Sequence, residues 1–514
     1  MNPARGKLLA ALLRQMASDP LVQALNDLAK TQGVPVYLVG GYLRDVALGR
    51  PLGEGGTRDV DCAVPEAKAA ARAFAGRATG GRLVRLDAAN WRVIPEPAGR
   101  GLPPAGWVDF SDLRGGGILA DLRGRDFTLN ALACRLPDPD DLLDPAGGLE
   151  DLAARRIRAV SDRVFREDPL RLLRAYRLAA QLDFSIDPST LSRLRRDAAR
   201  LEGEPGERVR AELFGTLAAP RGGLTLRGMR DSGVLHVLFP PCRRMDGLQQ
   251  GGHHHTDVLT HSLDTVEALE DLLKDFPPDP AGEDPLGRSA RDYLAPPHRL
   301  PVLKLAALLH DAGKPDTQAP SAEPPAEEKA FTFHGHEKVG AEAALAVAGR
   351  LRLSRCERES LVRLVRLHMR PGFLFRESGG DPKAVSGRAL HRLARDAEED
   401  LPGLALLAIA DAHAHRGPLA APGGGGLRSV TSRVVEFARG VLAEIEARVL
   451  PGLRGPRWVT GRDLMEALGI PEGPQVGRLL LALEEARAAG EIQTRAEALA
   501  LARKILSVDP AESR

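Results

Sequence analysis

Aromatic side chains are scarce in this chain of 514 residues: Phe, Trp and Tyr together make up 4% of it. That excludes a nucleic-acid surface built on many base-stacking rings. Cysteine is sparse too. Cys62, Cys134, Cys242 and Cys356 lie far apart and no CxxC occurs, so neither a disulfide framework nor a structural zinc site has the spacing it needs. A reducing cytoplasm is the expected compartment. No uncharged apolar run reaches the length of a membrane span, and Arg14 and Asp19 interrupt the N-terminal apolar stretch. Neither a membrane partner nor a signal peptide is expected. An excess of one charge is also missing, with 71 Lys+Arg against 69 Asp+Glu. A chain-wide basic coat is thereby excluded, whereas a local basic face is not.

What is present supports real cores. Hydrophobic residues reach 43%, and the length suggests about three or four domains. Residues 1 to 35 read as an amphipathic helical lead-in. The apolar runs Val36–Val39, Val60–Val64, Leu83–Leu86, Trp91–Ile94 and Trp107–Phe110 are strand candidates. From Asp168 onward apolar residues recur at helical spacing, and the pattern stays helical to the end. Pro-rich stretches at 276–298 and 316–328 read as surface insertions, and Gly423–Gly426 as a linker.

The densest chemistry lies near residue 40. Gly40-Gly41 breaks a strand pattern and Arg44-Asp45 opens a helical one. A second strand carries Asp59 and Asp61, which alternation places on one face. Paired carboxylates are costly unless a cation neutralises them. Mg²⁺ bridging them to a triphosphate is the natural solution, and the glycine pair lets backbone approach the phosphates.

Further pieces follow in order: Arg125-Asp126-Phe127-Thr128-Leu129-Asn130, Asp144…Gly147-Gly148…Asp151, Glu167-Asp168-Pro169-Leu170-Arg171…Arg174, and Glu207-Arg208…Glu212. From about residue 34 to 215 this ordered set resembles the class II tRNA nucleotidyltransferase and bacterial poly(A) polymerase family. The resemblance implies an α+β chain: a polymerase-β-type head with a five-stranded mixed sheet, then a helical neck and body. It implies that Asp59 and Asp61 hold Mg²⁺, that Gly40, Gly41, Arg44 and Asp45 cradle the triphosphate, and that Arg125, Asp126 and Asn130 position nucleotide and sheet. Strand placement makes Asp109 the candidate third catalytic carboxylate.

Glu167, Asp168, Arg171 and Arg174 fall at i, i+1, i+4 and i+7, with Asp168 and Arg171 expected as neighbours on one helix face. An Asp accepts from an exocyclic amino group and an Arg donates to a ring nitrogen or carbonyl. C and A carry an amino group at that edge, while G and U carry a carbonyl. The pair should accept CTP and ATP and reject GTP and UTP. In the family the matching residues template the incoming base.

One departure bears on product length. Family members that build the whole CCA end carry a long polar loop before the Arg-Asp-Phe motif. Here Asp109 to Gly117 leads almost directly to Leu119-Ala120-Asp121-Leu122. In the family, loss of that loop goes with enzymes that add only the two cytidines. CC addition beside a separate A-adding enzyme and full CCA addition both stay open, with A addition a further alternative.

A second constellation is independent. His261, His310-Asp311, His336, His368 and Asp411 look like the metal set of an HD-domain phosphohydrolase, all-helical, with His336 and His368 matching the extra ligands of two-metal versions. Imidazole with carboxylate suits Mn, Fe, Ni, Co or Zn. The resemblance implies phosphohydrolase activity on RNA 3′ ends. His253–His255, His413 and His415 read as surface histidines, with His255 a candidate phosphate contact.

The expected division is therefore a nucleotidyltransferase head at 1–160, a helical neck and body at 161–245, an HD domain at 246–422 and a helical tRNA-binding tail at 428–514. In the tail, Thr460 is a candidate N-cap and Pro474 sits near a helix start. Arg193, Arg195, Arg196 and Arg200 are candidate phosphate contacts, or plain solvated surface. The expected partners are the tRNA 3′ end, CTP and ATP. Competing readings are a poly(A) polymerase, an HD phosphohydrolase with an RNA-binding head, and a non-catalytic RNA-binding protein.

Overall fold

The structure, a computed structural model, describes residues 6, 10, 13–14, 17–50, 58–76, 81–95, 106–137, 142–250, 256–275, 284–320, 331–414, 426–450 and 458–508. His253–His255, His415, Gly423–Gly425 and parts of both Pro-rich stretches lie outside these residues. The chain divides into two compact units. One is 1–216 with 228–238, and the other is 217–227 with 239–514.

The first unit is built on a sheet of seven strands rather than the expected five, in the order β3-β4-β5-β2-β1-β6-β7. These are β1 (Val36–Val39), β2 (Arg58–Val64), β3 (Arg82–Arg85), β4 (Asn90–Ile94), β5 (Gly106–Asp112), β6 (Ala133–Leu136) and β7 (Leu142–Leu143). The five sequence candidates are β1 to β5. The two additions extend the sheet beyond β1, where Val36–Val39 pairs antiparallel with Ala133–Leu136. Such short apolar runs carry no decisive period of their own. The β2–β5 pair is parallel, whereas β1–β2 and β4–β5 are antiparallel. Val60, Cys62, Val108 and Phe110 are buried on one face. Alternation sends Asp59, Asp61, Trp107 and Asp109 to the other.

Helices that carry site residues follow or interrupt the sheet: α1 (Gly41–Ala47), α2 (Ile118–Arg123), α3 (Val164–Glu167), α4 (Arg171–Leu182) and α5 (Gly206–Leu217). The motif around Asp144 proves architectural. Asp144 accepts from the Gly148 and Leu149 amides. Buried Asp151 accepts from Thr128, Arg156 and Arg158. At Gly148 a Cβ would overlap the Thr128 carbonyl, so that contact requires glycine.

The second unit is helical, with α6 (Val258–Asp275), α7 (Arg299–Leu309), α8 (His336–Arg350), α9 (Arg355–Leu367), α10 (Leu401–Ala414), α11 (Gly461–Leu468), α12 (Pro474–Ala488) and α13 (Arg495–Val508). Among the described residues of this unit one two-residue strand pair, Ala319–Pro320 with Phe331–Thr332, interrupts the helices; a similar pair, Arg156–Ile157 with Ser185–Ile186, lies in the first unit. Helix α7 is buried all round. Even Lys304 is inside it, donating to Glu270 at 2.7 Å and to the Ala219 carbonyl at 2.9 Å. Ser354 and Glu357 close a capping box at α9, and Thr460 with Asp463 another at α11, while Pro474 opens α12. Val459, Leu464, Leu479, Leu483, Ile492 and Ala502 form a core of the tail's own. Among the described residues no helix is long and apolar enough to cross a membrane.

Candidate active sites

In the first unit a cleft of about 960 Å³ opens over the carboxylate face. Asp61, Asp109, Arg125, Asp126, Glu167, Asp168, Arg171 and Arg174 line it. Parallel pairing sets Asp61 beside Asp109, and Asp59 lies two residues along β2 on the same face. Partial desolvation, opposed by Arg92 and reinforced by Asp61 and Asp109, pushes Asp59 up to about 6. Burial also raises Asp61, against Arg125 and with Asp109. Carboxylates that resist ionisation because they are desolvated, and because they face one another, favour a bound cation. The donor set therefore fits Mg²⁺, which takes one or two carboxylates plus phosphate oxygens.

Gly40 has φ +73°, and a Cβ there would press on Asp61 Oδ2 and Arg125 Nη1 at 3.1 Å. The glycine thus lets the β1–α1 turn reach the carboxylates. Arg44 donates twice to Asp45, at 3.0 Å each, and once to Asn130 Oδ1 at 3.0 Å. Asn130 Nδ2 in turn donates to Asp126 Oδ1 at 3.1 Å. Asp45, Arg44, Asn130 and Asp126 thus form one hydrogen-bonded chain beside the Gly40-Gly41 turn. Burial pulls Asp126 up, yet Arg174, Asn130 and the Phe127 amide hold it below the usual carboxylate value.

Asp168 and Arg171 meet, but not as neighbours within one helix. Helix α3 ends at Glu167, and Asp168 is extended at φ −148° and ψ 101°. The cause is local: Pro169 forces the residue before it out of the helical region. Arg171 then opens α4, with its Nε 4.0 Å from Asp168 Oδ2. Arg171 also donates to the Gly124 and Val164 carbonyls, and Arg208 from α5 donates to both Asp168 oxygens at 3.3 and 3.4 Å. The sequence reading had no role for Arg208 beyond its place in a motif. It also missed Arg92, which faces Asp109 across β4–β5. Alternation with Asn90, a lining residue of the cleft, is the signal that would have found Arg92.

The second unit gathers all six predicted metal residues into two groups: His261, His310 and Asp411, and Asp311, His336 and His368. They come from α6, the end of α7, the start of α8, the end of α9 and α10. His261 Nε2 lies 2.9 Å from Asp411 Oδ1, and Asp311 reaches both groups, at 3.2 Å from His310 and 3.4 Å from His336. Three rings are set alike. The Nδ1 of His310, His336 and His368 donates to the carbonyl three residues earlier, at 2.7 to 2.8 Å. A carbonyl can only accept, so the Nδ1 carries a hydrogen and each Nε2 is turned towards the cluster. Burial lowers His261 and takes His368 down to about 3, which keeps both rings neutral. His310 Nε2 is buried and faces Asp311 Oδ2 at 3.2 Å and Asp411 Oδ1 at 3.6 Å. Against its burial, Asp311 and Asp411 raise His310, and backbone-oriented imidazoles that turn their Nε2 towards shared carboxylates fit a transition metal. His413 is exposed.

Comparison with known proteins agrees with both halves. A poly(A) polymerase head-domain family matches residues 108–158, a probable RNA- and SrmB-binding site of polymerase A matches 183–244, and an HD domain matches 258–415. The chain is 37% identical to the A-adding tRNA nucleotidyltransferase of Deinococcus radiodurans, over 91% of this chain and 94% of that one. It is 32% identical to the CC-adding enzyme of Geobacter sulfurreducens, over 95% of each, and 33% to that of Thermus thermophilus, over 90% and 92%. Its fold is shared by the Thermotoga maritima CCA-adding enzyme complexed with tRNA, with TM-score 0.59, 21% identity and 98% of each chain covered. On these grounds the chain belongs to the tRNA nucleotidyltransferase family and carries an HD domain behind its nucleotidyltransferase head.

Proposed function

We propose that the head adds only part of the tRNA CCA end, without a template, from CTP or ATP. The observation that carries this is the short passage from β5 to α2. Strand β5 ends at Asp112 and α2 begins at Ile118, which leaves no length for a loop that re-forms the base pocket between C and A. An enzyme that adds one kind of base needs no such switch. Asp168 and Arg171 would read the amino-bearing edge shared by C and A. Asp59 and Asp61 would hold Mg²⁺, which supplies charge neutralisation at the triphosphate when bound. Arg125 and Arg174, on the cleft wall, would bind phosphate or base, and the Arg44–Asn130–Asp126 chain would keep the cleft floor in register.

Two readings divide the partial end between them. The relatives from Geobacter and Thermus favour CMP addition, while the higher identity to the Deinococcus enzyme favours AMP addition. In either case a second enzyme, acting in sequence in the same cytoplasm, completes the end. The deciding experiment offers tRNA transcripts ending at the discriminator base, at C or at CC, with CTP, ATP or both, and sizes the products. Extension of the discriminator-ended transcript by two C, stopping there, is the CC outcome. Extension of only the CC-ended transcript by A is the A outcome. Completion of all three residues by this chain alone overturns the proposal.

The HD unit would act on phosphoesters at RNA 3′ ends, a reading supported by the two ligand groups sharing Asp311. Purified chain with Asp59→Ala and Asp61→Ala should keep a metal-dependent phosphohydrolase activity on 2′,3′-cyclic phosphate RNA. Its absence would leave this unit a structural or differently directed one.

A further inference from the structure

Arg92 stands among the carboxylates of the head, and the reaction above leaves it without a task. It stands opposite Asp109 in the β4–β5 register. Its Nε donates to Asp109 Oδ1 and its Nη2 to Oδ2, both at 2.8 Å. Its guanidinium lies over the Trp107 ring at 4.2 Å from the centroid. Trp107 is itself in register with Asp59, and Asp109 with Asp61. All five side chains therefore share one face of three adjacent strands.

Bidentate pairing occupies one lone pair on each oxygen of Asp109 and balances its charge, which weakens it as a metal ligand. Stacking on Trp107 removes the freedom by which a long side chain would otherwise swing aside. The three carboxylates outnumber the one guanidinium on these strands, and Arg125 acts on Asp61 from beside them. Asp109, expected as a third ligand, thus has its charge balanced by Arg92.

We propose that Arg92 is a built-in counter-cation. Held by Trp107, it retires Asp109 from metal binding, leaves Asp59 and Asp61 as the metal pair, and sets that pair's affinity for the divalent ion. Arg92 is a positioning residue, acting through charge and through Asp109. The inference rests on the reading of Asp59 and Asp61 as metal ligands.

The test is Mn²⁺ binding to the full chain, followed by electron paramagnetic resonance without nucleotide. The component abolished by Asp61→Asn is assigned to the head, which separates it from the HD unit. Arg92→Met unmasks a carboxylate and should tighten that component by about tenfold, while Asp109→Asn leaves an unbalanced guanidinium and should weaken it by a similar factor. The double variant Arg92→Met/Asp109→Asn removes a neutral pair and should return within about twofold of the wild type. Arg92→Lys, which keeps charge without the fork, should fall between Arg92→Met and the wild type. A double variant as weak as Asp109→Asn alone would make Asp109 a ligand and overturn the proposal. If Asp61→Asn removes no Mn²⁺ component, the metal reading of the head fails instead. Melting curves by circular dichroism confirm that each variant is folded.

Discussion

His336 Nε2 and His368 Nε2 face each other at 3.3 Å, and each ring has already given its Nδ1 hydrogen to a backbone carbonyl. At that distance the two nitrogens must share either a proton or a metal ion. Metal and fold are therefore coupled in the second unit. Chelation should lower its unfolding temperature in scanning calorimetry. The loss corresponds to about 2.7 kcal/mol where the metal stood at a hundred times its Kd. His368→Ala removes one of the two nitrogens and with it a ligand, so its unfolding should respond little to chelator. A variant that still gains full stability from metal would exclude His368 from the ligand set.

Base selection gives a second prediction. Asp168→Ala should lower C/A-over-U/G discrimination by about 10- to 100-fold, because the amino group loses its acceptor. Arg208→Ala should do less, since it removes only the clamp that orients the carboxylate. Unchanged discrimination in Asp168→Ala, measured by competition among the four nucleotides, would remove Asp168 from the template.

The carboxylate pair predicts a pH limb. Asp59 is pushed up to about 6, so its protonated, metal-refusing form grows as pH falls through that value. Transfer should decline below about pH 6, and raising Mg²⁺ should move the limb to lower pH because metal competes with protons. For stability the sign is the reverse. The ionised group costs the metal-free fold above the raised pKa, and that cost is relieved on acidification. A rate flat from pH 5 to 8 at limiting Mg²⁺ would contradict this assignment.

Arg174 joins Asp126 at 3.1 Å and Glu212 at 3.2 Å, and both carboxylates are buried. Arg174→Ala leaves two buried charges short of a partner and should cost the first unit about 2–3 kcal/mol. Denaturant unfolding measures this directly. Arg174→Ala paired with Glu212→Gln should cost less than the sum of the two single changes.

Much of the site is legible along the chain because its rules are local. Period-two spacing puts Asp59 and Asp61 on one face, and the apolar runs mark five of seven strands. The extended Asp168 was legible as well, through Pro169, though helical spacing alone misreads it. The strands β6 and β7 were not, because they are short and owe their state to an edge already formed by β1.

By itself the sequence determined which chemistry is present: paired carboxylates, an Asp/Arg pair beside a proline, and six imidazole and carboxylate groups in helical segments. Only tertiary structure decided which of them meet. Asp61 comes beside Asp109 because β2 and β5 pair in parallel across 48 residues, and Arg92 reaches Asp109 because β4 lies antiparallel on β5. Likewise, five helices bring together HD groups separated by up to 150 positions. Local rules fix the direction of a side chain, whereas charge pairing depends on distances that only packing sets.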